Sequence, residues 1–135
     1  MNLEDRIEPP YRSRGEARLG HMFDRYGIPF FYEHPLLVVS RGKYRVWHPD
    51  FTLPHHGRLV VEYAGMIDRP DYRDGIRYKH HVFKANGVPA VFLYPHDLHG
   101  QNWQQRILDR VTPYHSHGPL GAPQQAYFQR CRELL

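Results

Sequence analysis

Cysteine is almost absent from this sequence, and long apolar runs are absent altogether. Cys131 is the single cysteine among 135 residues, so no disulfide forms within the chain, as is usual in a reducing compartment. No stretch of about eighteen apolar residues occurs, which argues against a membrane-spanning helix. The first ten residues are too charged for a secretory signal. We therefore expect a soluble, cytoplasmic protein with no membrane partner.

Acidic residues are outnumbered by basic ones. The chain has 18 Lys and Arg against 14 Asp and Glu, which gives a formal net charge of +4. A positive field of this kind attracts polyanions, although many basic proteins bind none. Hydrophobic residues make up 41% of the chain, which is enough for one domain with a real core.

The spacing of apolar residues predicts a mixed α/β (α+β) fold. Residues 1–12, rich in proline, are predicted to be an irregular lead-in, residues 13–111 the domain itself, and residues 112–135 a loop and a C-terminal helix packed on it. The predicted elements are a helix from Ser13 to Tyr26, a hairpin of 30–39 with 44–47 whose second arm continues into 51–53, a third strand at 58–63, a helix over 71–86, a strand at 88–94, a helix over 101–111 and a last helix over 124–135.

This order of elements limits the topology. Three strands in sequence can form a meander, in which the predicted hairpin is continued by the strand that ends at Tyr63. The strand over 88–94 follows a crossover helix, so it should lie parallel to a neighbour. We therefore expect a mixed sheet flanked by helices.

Two acidic residues stand where neighbouring strands would bring them together. Asp50 follows Pro49 at the start of one predicted strand, and Glu62 lies near the end of the next, across the turn at 54–57. Adjacent strands are about 5 Å apart, so both carboxylates could reach one hard divalent cation. Because Glu62 ends an apolar run, its carboxylate needs a partner there.

The segment Pro-Asp-Phe-Thr-Leu-Pro over 49–54, followed by Glu-Tyr-Ala-Gly over 62–65, resembles the PD-(D/E)xK nucleases. The likeness covers roughly residues 13–95 and is closest to phage-type Holliday-junction resolvases and to nuclease modules attached to helicases. It implies a restriction-endonuclease-like αβββαβ core and Mg2+-dependent cleavage of DNA, with Mn2+ able to substitute. Asp50, Glu62 and the backbone carbonyl of Tyr63 would be direct metal ligands.

Glu16 takes the place of a helical glutamate that often completes the acidic cluster in this family. It would then be a further catalytic residue and metal ligand. The alternative is a capping box, because Ser13 and Glu16 have the spacing in which each side chain satisfies a backbone N–H of the other. Glu16 also shares a helical face with Leu19 and Phe23, which directs it toward the core.

The motif departs from the family at one position. The lysine expected two residues after the glutamate is replaced by Ala64. A cation is needed near the attacking water or the phosphate, where negative charge develops. Lys79, in register with Ile76 and Phe83 on the second predicted helix, is our candidate for the catalytic lysine, with Lys43 and Lys84 as weaker substitutes.

Basic residues on the elements around this site are candidate contacts to the DNA backbone. They are Arg12, Arg14, Arg18, Arg41, Lys43, Arg73 and Arg77. Alternatively, these basic residues simply form an ordinary solvent-exposed surface. A protein that cuts duplex DNA would be nucleoid-associated when bound, and a homodimer or an association with a helicase or another DNA-processing protein are further partners that this interpretation suggests.

Two other functions stay open at this point. The missing strand lysine is compatible with a noncatalytic nucleic-acid-binding module on a decayed nuclease fold. The pairs His96 and His99, and His115 and His117, suggest a zinc-dependent interaction domain, although structural zinc sites usually recruit cysteines.

Overall fold

The computed structural model of the protein describes residues 7–116, which form three α-helices and six strands. The elements are α1 (Arg14–Arg25), β1 (Phe31–Tyr32), β2 (Leu36–Ser40), β3 (Lys43–Trp47), β4 (Phe51–Leu53), β5 (Leu59–Tyr63), α2 (Pro70–Ala85), β6 (Ala90–Leu93) and α3 (Trp103–Val111). Short 3-10 turns at Pro95–Leu98 and Thr112–Tyr114 flank α3. The predicted mixed α/β class is confirmed. The last helix, predicted over 124–135, lies outside the described residues.

The main sheet has the strand order β1-β4-β5-β6. The first two pairings are antiparallel, and β5 and β6 run parallel. The parallel pair is the one that α2 connects, because a strand that follows a crossover helix returns in the same direction. This confirms the prediction of a mixed sheet with a parallel strand after the second helix.

The predicted three-stranded antiparallel meander is confirmed in its pairing but is interrupted, since β1 pairs with β4, β2 with β3, and β4 with β5. The stretch over 30–39 is not one strand, since Glu33 adopts a left-handed backbone with φ 53° and Pro35 has no N–H to donate to a ladder. It is divided into β1, which joins the main sheet, and β2, which pairs only with β3 in a separate two-stranded sheet. Five strands therefore precede α2, where three were expected.

Two apolar clusters lie on the two faces of the main sheet. Along β5, Leu59 and Val61 belong to the cluster under α1 and α3, while Val60 and the following Ala64 belong to the cluster under α2 and β2. Side chains of a strand alternate between faces, so Glu62 points toward the α2 side. The whole of β5 is buried up to Glu62, which is why it reads as a continuous apolar run.

Glycines of α1 admit two aromatic rings against the helix. A Cβ built on Gly15 would lie 2.2 Å from ring atoms of Tyr63, and one built on Gly20 would lie 2.0 Å from the hydroxyl of Tyr11. Residues 7–12 contain no helix or strand, yet Tyr11 packs on the core through its ring. The helix therefore sits closer to the end of β5 than a larger residue at position 15 would permit.

Candidate active site

Asp50 and Glu62 lie opposite each other at the end of the β4–β5 ladder. The antiparallel register places Phe51 opposite Val61. Asp50, the residue before Phe51, therefore lies opposite Glu62, the residue after Val61. The structure thus brings together the two carboxylates that the sequence pairs. Glu62 is only 5% exposed, and few carboxylates are buried to this extent without partners.

Each of the two carboxylates accepts a hydrogen bond from the backbone of the opposite strand. The N–H of Asp50 donates to Oε2 of Glu62 at 3.0 Å, and the N–H of Tyr63 donates to Oδ2 of Asp50 at 2.7 Å. The strand on the other side fixes the backbone of Asp50 as well, because the N–H of Glu33 donates to its carbonyl at 3.0 Å. The positions of both acids are therefore set by main-chain geometry.

Burial and proximity make it unfavourable for Asp50 and Glu62 to carry a negative charge at the same time. Burial raises the pKa of Asp50 to about 7, and the negative charge of Glu62 contributes in the same direction. The hydrogen bond from Tyr63 and the charge of Lys79 lower the pKa, but they do not compensate. A second negative charge at this position is thus poorly tolerated near neutral pH unless a cation joins the site.

Lys79 provides one cation from α2. Its Nζ lies 3.5 Å from Oε1 of Glu62, and the lysine side chain is 46% exposed. Ile76 and Phe83, on the same face of the helix, are buried against the sheet and hold this face in place. The amine therefore meets the pair at the boundary between core and solvent, where a substrate phosphate could also reach it.

Ala64, directly after β5, occupies the position at which the resemblance to the nucleases predicts a lysine. It has no exposed surface, packs in the cluster under α2, and donates its N–H to the carbonyl of Leu93 at 2.8 Å. Residues 62 and 64 share a face of the strand, so α2 covers both of them. A cation beside Glu62 on this face of the sheet can therefore come from α2, as Lys79 does.

Glu16 stands beside this pair, with partners of its own. Its Oε1 accepts from the hydroxyl of Tyr32 at 2.5 Å, and its Oε2 from the hydroxyl of Ser13 at 3.2 Å. Burial raises the pKa of Glu16, the bond from Tyr32 opposes this, and the charge of Asp50 raises it further. Ser13 caps α1 by accepting the N–H of Glu16, as one half of a capping box would. The charge of Asp50 thus acts on the pKa of Glu16. A metal-binding role for Glu16 stays a prediction.

Two tyrosines near the acids were not singled out from the sequence. Burial raises the pKa of Tyr72, at the start of α2, and the charges of Lys79, Asp50 and Glu62 also act on this pKa. The position of Tyr72 seven residues before Lys79, two turns of helix, was the available signal. Tyr32 had no such signal, because nothing in the sequence shows that its hydroxyl reaches Glu16 on α1.

The donor set of the pair fits a hard divalent cation. Within residues 7–116 there is no group of three or more His, Cys, Asp or Glu side chains arranged to hold a metal. Mg2+, however, is commonly bound through one or two carboxylates, with waters and substrate phosphate completing its shell. Asp50 and Glu62 supply such oxygens in a buried pair that lacks full charge compensation. The carbonyl of Tyr63 as a third ligand stays a prediction.

The seven predicted DNA-contacting cations divide between the two faces of the sheet. On the α1 side, Arg12 pairs with Glu33 at 2.7 Å, and Arg18 donates to the carbonyl of Leu98 at 2.9 Å while it covers the ring of Trp103. Arg18 thus already links α1 to the segment before α3. Arg14 on the α1 side and Arg41, Lys43, Arg73 and Arg77 on the α2 side are exposed.

The histidine pairs considered for zinc do not assemble a site in the described part of the chain. His96 lies 3.5 Å from Asp97 and stacks on Tyr94. His115 meets the buried ring of His56 edge-on at 5.0 Å. His117 lies outside the described residues.

Comparisons with protein-family models, with curated proteins and with solved structures find no match to this chain. In residues 7–116, none of the helices has the length and apolar character needed to cross a bilayer. Functional inference for this protein therefore depends on the residues of the site and their geometry.

Proposed function

We propose that this chain is a divalent-metal-dependent endonuclease that hydrolyses phosphodiester bonds in DNA, with structured or branched DNA among the substrates to be tested. The observation that carries the proposal is the placement of Lys79, 3.5 Å from Glu62, beside the buried Glu62 and the half-buried Asp50, whose negative charges repel each other. A polyanion-attracting net charge of +4 is consistent with such a substrate. The proposed scaffold is a restriction-endonuclease-like core that carries the extra β2–β3 sheet.

Asp50 and Glu62 would hold Mg2+, or Mn2+ in its place. Bound there, the ion would polarise the phosphodiester and lower the pKa of a coordinated water. The two backbone hydrogen bonds that fix the carboxylates would keep their oxygens in place before substrate arrives, so little reorganisation would be needed.

Lys79 would stabilise the negative charge that develops on the phosphate, or help remove a proton from the attacking water. A half-exposed ammonium at the rim of the site is suited to both tasks, because it can reach solvent and the buried acids alike. Tyr72, next to these groups, would position the phosphate or the water through its hydroxyl.

A noncatalytic DNA-binding module is the second candidate. The observation that favours it is Ala64, which leaves the strand without its lysine, so that the contact between Lys79 and Glu62 would be merely a structural ion pair. Both candidates bind DNA, but only the first breaks it.

Cleavage assays separate the two candidates. Wild-type protein is mixed with plasmid, branched and single-stranded DNA in the presence of Mg2+ or Mn2+, alongside Asp50→Ala and Glu62→Ala. Cleavage by the wild type alone is the expected result. Equal cleavage by all three proteins would assign the activity to a contaminant, and salt-dependent binding without any cleavage would establish the noncatalytic module.

A further inference from the structure

The β2–β3 hairpin concentrates positive charge. Residues 36–47 contain Arg41, Lys43 and Arg45 and no aspartate or glutamate. All three cations are exposed, and Arg45 was not among the residues that the sequence suggested. A surface with this charge favours a polyanionic partner, since no acidic residue of the hairpin offsets it.

The outer face of the hairpin is apolar and uncovered within the described structure. Tyr44 is 67% exposed and Val46 58%. The register pairs Tyr44 with Val39 and Val46 with Leu37, so these four side chains form one stripe across the two strands. The opposite face is buried through Leu36, Val38 and Ser40. Lys43 and Arg45 alternate with these residues along β3, so their exposed side chains leave the strand on its other face. An exposed apolar stripe on a basic ribbon favours a partner on this face.

The tip of the hairpin holds an arginine in an unfavourable conformation. Arg41 and Gly42 both have positive φ, 53° and 70°, as a two-residue type I′ turn requires. Asn or Gly is preferred at the first of these positions, because other side chains crowd the backbone there. The sequence retains an arginine, whose guanidinium lies over the ring of Tyr78 at 4.8 Å. Strain of this type is found where a side chain is needed for function.

The hairpin is fixed to α2 rather than loosely attached. Asn86, buried at the end of the helix, accepts the N–H of Val39 at 2.8 Å and donates to its carbonyl at 2.9 Å. The hydroxyls of Ser40 and Tyr78 share a hydrogen bond. Trp47 packs edge-on against Phe83. The hairpin is thus held by the same helix that carries Lys79.

We propose that the β2–β3 ribbon is an arm that binds duplex DNA by entering its major groove. This inference rests on the proposed function, because it supplies the surface that would hold the substrate of the carboxylate site. A two-stranded ribbon fits the major groove, which is about 12 Å wide. Five residues in each strand give the ribbon a length of roughly 17 Å.

The position of the ribbon suits this role. Trp47 ends β3 only three residues before Asp50, so their Cα atoms are at most about 11 Å apart. A duplex with one phosphate at the carboxylates therefore has its neighbouring groove within reach of the ribbon. The stripe that contains Tyr44 and Val46 contacts base edges and thymine methyl groups. Lys43 and Arg45, on the other face of β3, reach past the edge of this strand to backbone phosphates, as Arg41 does at the tip.

Fluorescence anisotropy with a short labelled DNA duplex tests the arm. Binding is measured in EDTA, where no cleavage occurs, over a range of salt concentrations. The variants are the double replacement Lys43→Gln with Arg45→Gln, the single replacement Tyr44→Ser, and the control Arg25→Gln at the exposed end of α1, on the other side of the sheet. Circular dichroism confirms that each variant is folded.

The loss of two phosphate contacts should reduce the slope of log K against log salt concentration by about 2. Tyr44→Ser should weaken binding by roughly tenfold with an unchanged slope, because it removes a base contact and no charge. Arg25→Gln should bind as the wild type does. A single-stranded probe of the same sequence should bind less tightly than the duplex.

Wild-type affinity and slope in the hairpin variants would overturn the proposal. That result, combined with new self-association of the Gln variants in light scattering, would show instead that the cations only prevent pairing between β3 edges of two molecules. Tighter binding of single strands than of duplex would overturn it as well. Failure of the arm and failure of the proposed function remain distinguishable, since the former is read from binding in EDTA and the latter from cleavage in Mg2+ or Mn2+.

Discussion

Lys79 contacts Glu62 from a different element, with Nζ 3.5 Å from Oε1 of the carboxylate. The position of this cation depends on how α2 packs on the sheet, through the buried Ile76 and Phe83. A lysine on β5 itself would instead be fixed by the strand. Because the cation is carried by α2 and not by β5, substitutions on α2 are the ones expected to affect catalysis through it.

Lys79→Ala should reduce DNA cleavage by about 10²-fold to 10⁴-fold, the usual range for loss of one group that assists proton transfer or stabilises charge. Turnover should fall more than DNA affinity, because Lys79 is one cation among many that attract the polyanion. Single-turnover cleavage and anisotropy measure the two quantities separately.

The matched control is Lys84→Ala, an exposed lysine in the last turn of the same helix. It should cleave at nearly the wild-type rate. Lys79→Arg should recover part of the activity, because it keeps the charge but not the shape of the ammonium. Equal losses in the variants at positions 79 and 84 would mean that α2 contributes only a diffuse positive field.

The stability of the metal-free protein should depend on pH through Asp50. Its pKa is raised by burial from 3.8 to about 7 in the folded state, so the folded state binds this proton more tightly than the unfolded chain does. The stabilisation by protonation is therefore complete below about pH 4 and is lost as the pH rises toward 7. We expect a loss on the order of 2 kcal/mol over this interval.

Urea denaturation in EDTA at several pH values measures this effect. Asp50→Asn should unfold at higher urea concentration than the wild type at pH 7 and lack this part of the pH dependence, since an amide can still accept from Tyr63. Addition of Mg2+ at pH 7 should stabilise the wild type but not the variant, because only a folded pair of carboxylates binds the ion. Parallel pH curves for the two proteins would show that Asp50 does not carry the raised pKa.

The elements with a strong local pattern were predictable, and those made by long-range pairing were not. The helix around Leu19 and Phe23 and the apolar run that ends in Glu62 follow from periodicity alone. The division of residues 30–39 into β1 and β2 does not, because it depends on the left-handed backbone that Glu33 adopts between the two strands.

The same distinction applies to the candidate site. The opposition of Asp50 and Glu62 could be inferred, because a short turn joins their strands and fixes the register. The choice of Lys79 could be inferred from its helical face. The hydrogen bond from Tyr32 to Glu16 joins two elements whose relative position is set by the whole core, so no local pattern of residues indicates it.

Glu16→Gln should distinguish an acidic cluster of three from one of two. The glutamine can still accept from Tyr32, but it removes the negative charge of Glu16, a carboxylate whose pKa the charge of Asp50 raises. We expect Mn2+ affinity to fall by about 10-fold to 100-fold, as is typical for groups that support a metal ligand from outside its shell. Isothermal calorimetry with Mn2+ measures this affinity.

Tyr32→Phe serves as the comparison for this variant. It removes the hydroxyl that donates to Glu16 and leaves the carboxylate charge in place. If Glu16 acts through its charge, this second variant should change Mn2+ affinity less than Glu16→Gln does. Unchanged affinity in Glu16→Gln itself would restrict the site to Asp50 and Glu62 and leave Glu16 as part of the α1 cap.

Gly15 and Gly75 should respond in opposite ways to replacement by alanine. Both lie within helices, where alanine is normally preferred by about 1 kcal/mol. No atom lies within 4 Å of a Cβ at Gly75, so Gly75→Ala should gain most of this stability. At Gly15 the added methyl would meet the ring of Tyr63 at 2.2 Å, so Gly15→Ala should displace that ring and destabilise the fold by about 1 to 3 kcal/mol.

Because the N–H of Tyr63 holds Asp50, Gly15→Ala should also reduce DNA cleavage, whereas Gly75→Ala should not. Urea denaturation and cleavage assays on the two variants measure these effects, and a gain of stability in both would show that α1 shifts freely without disturbing the end of β5.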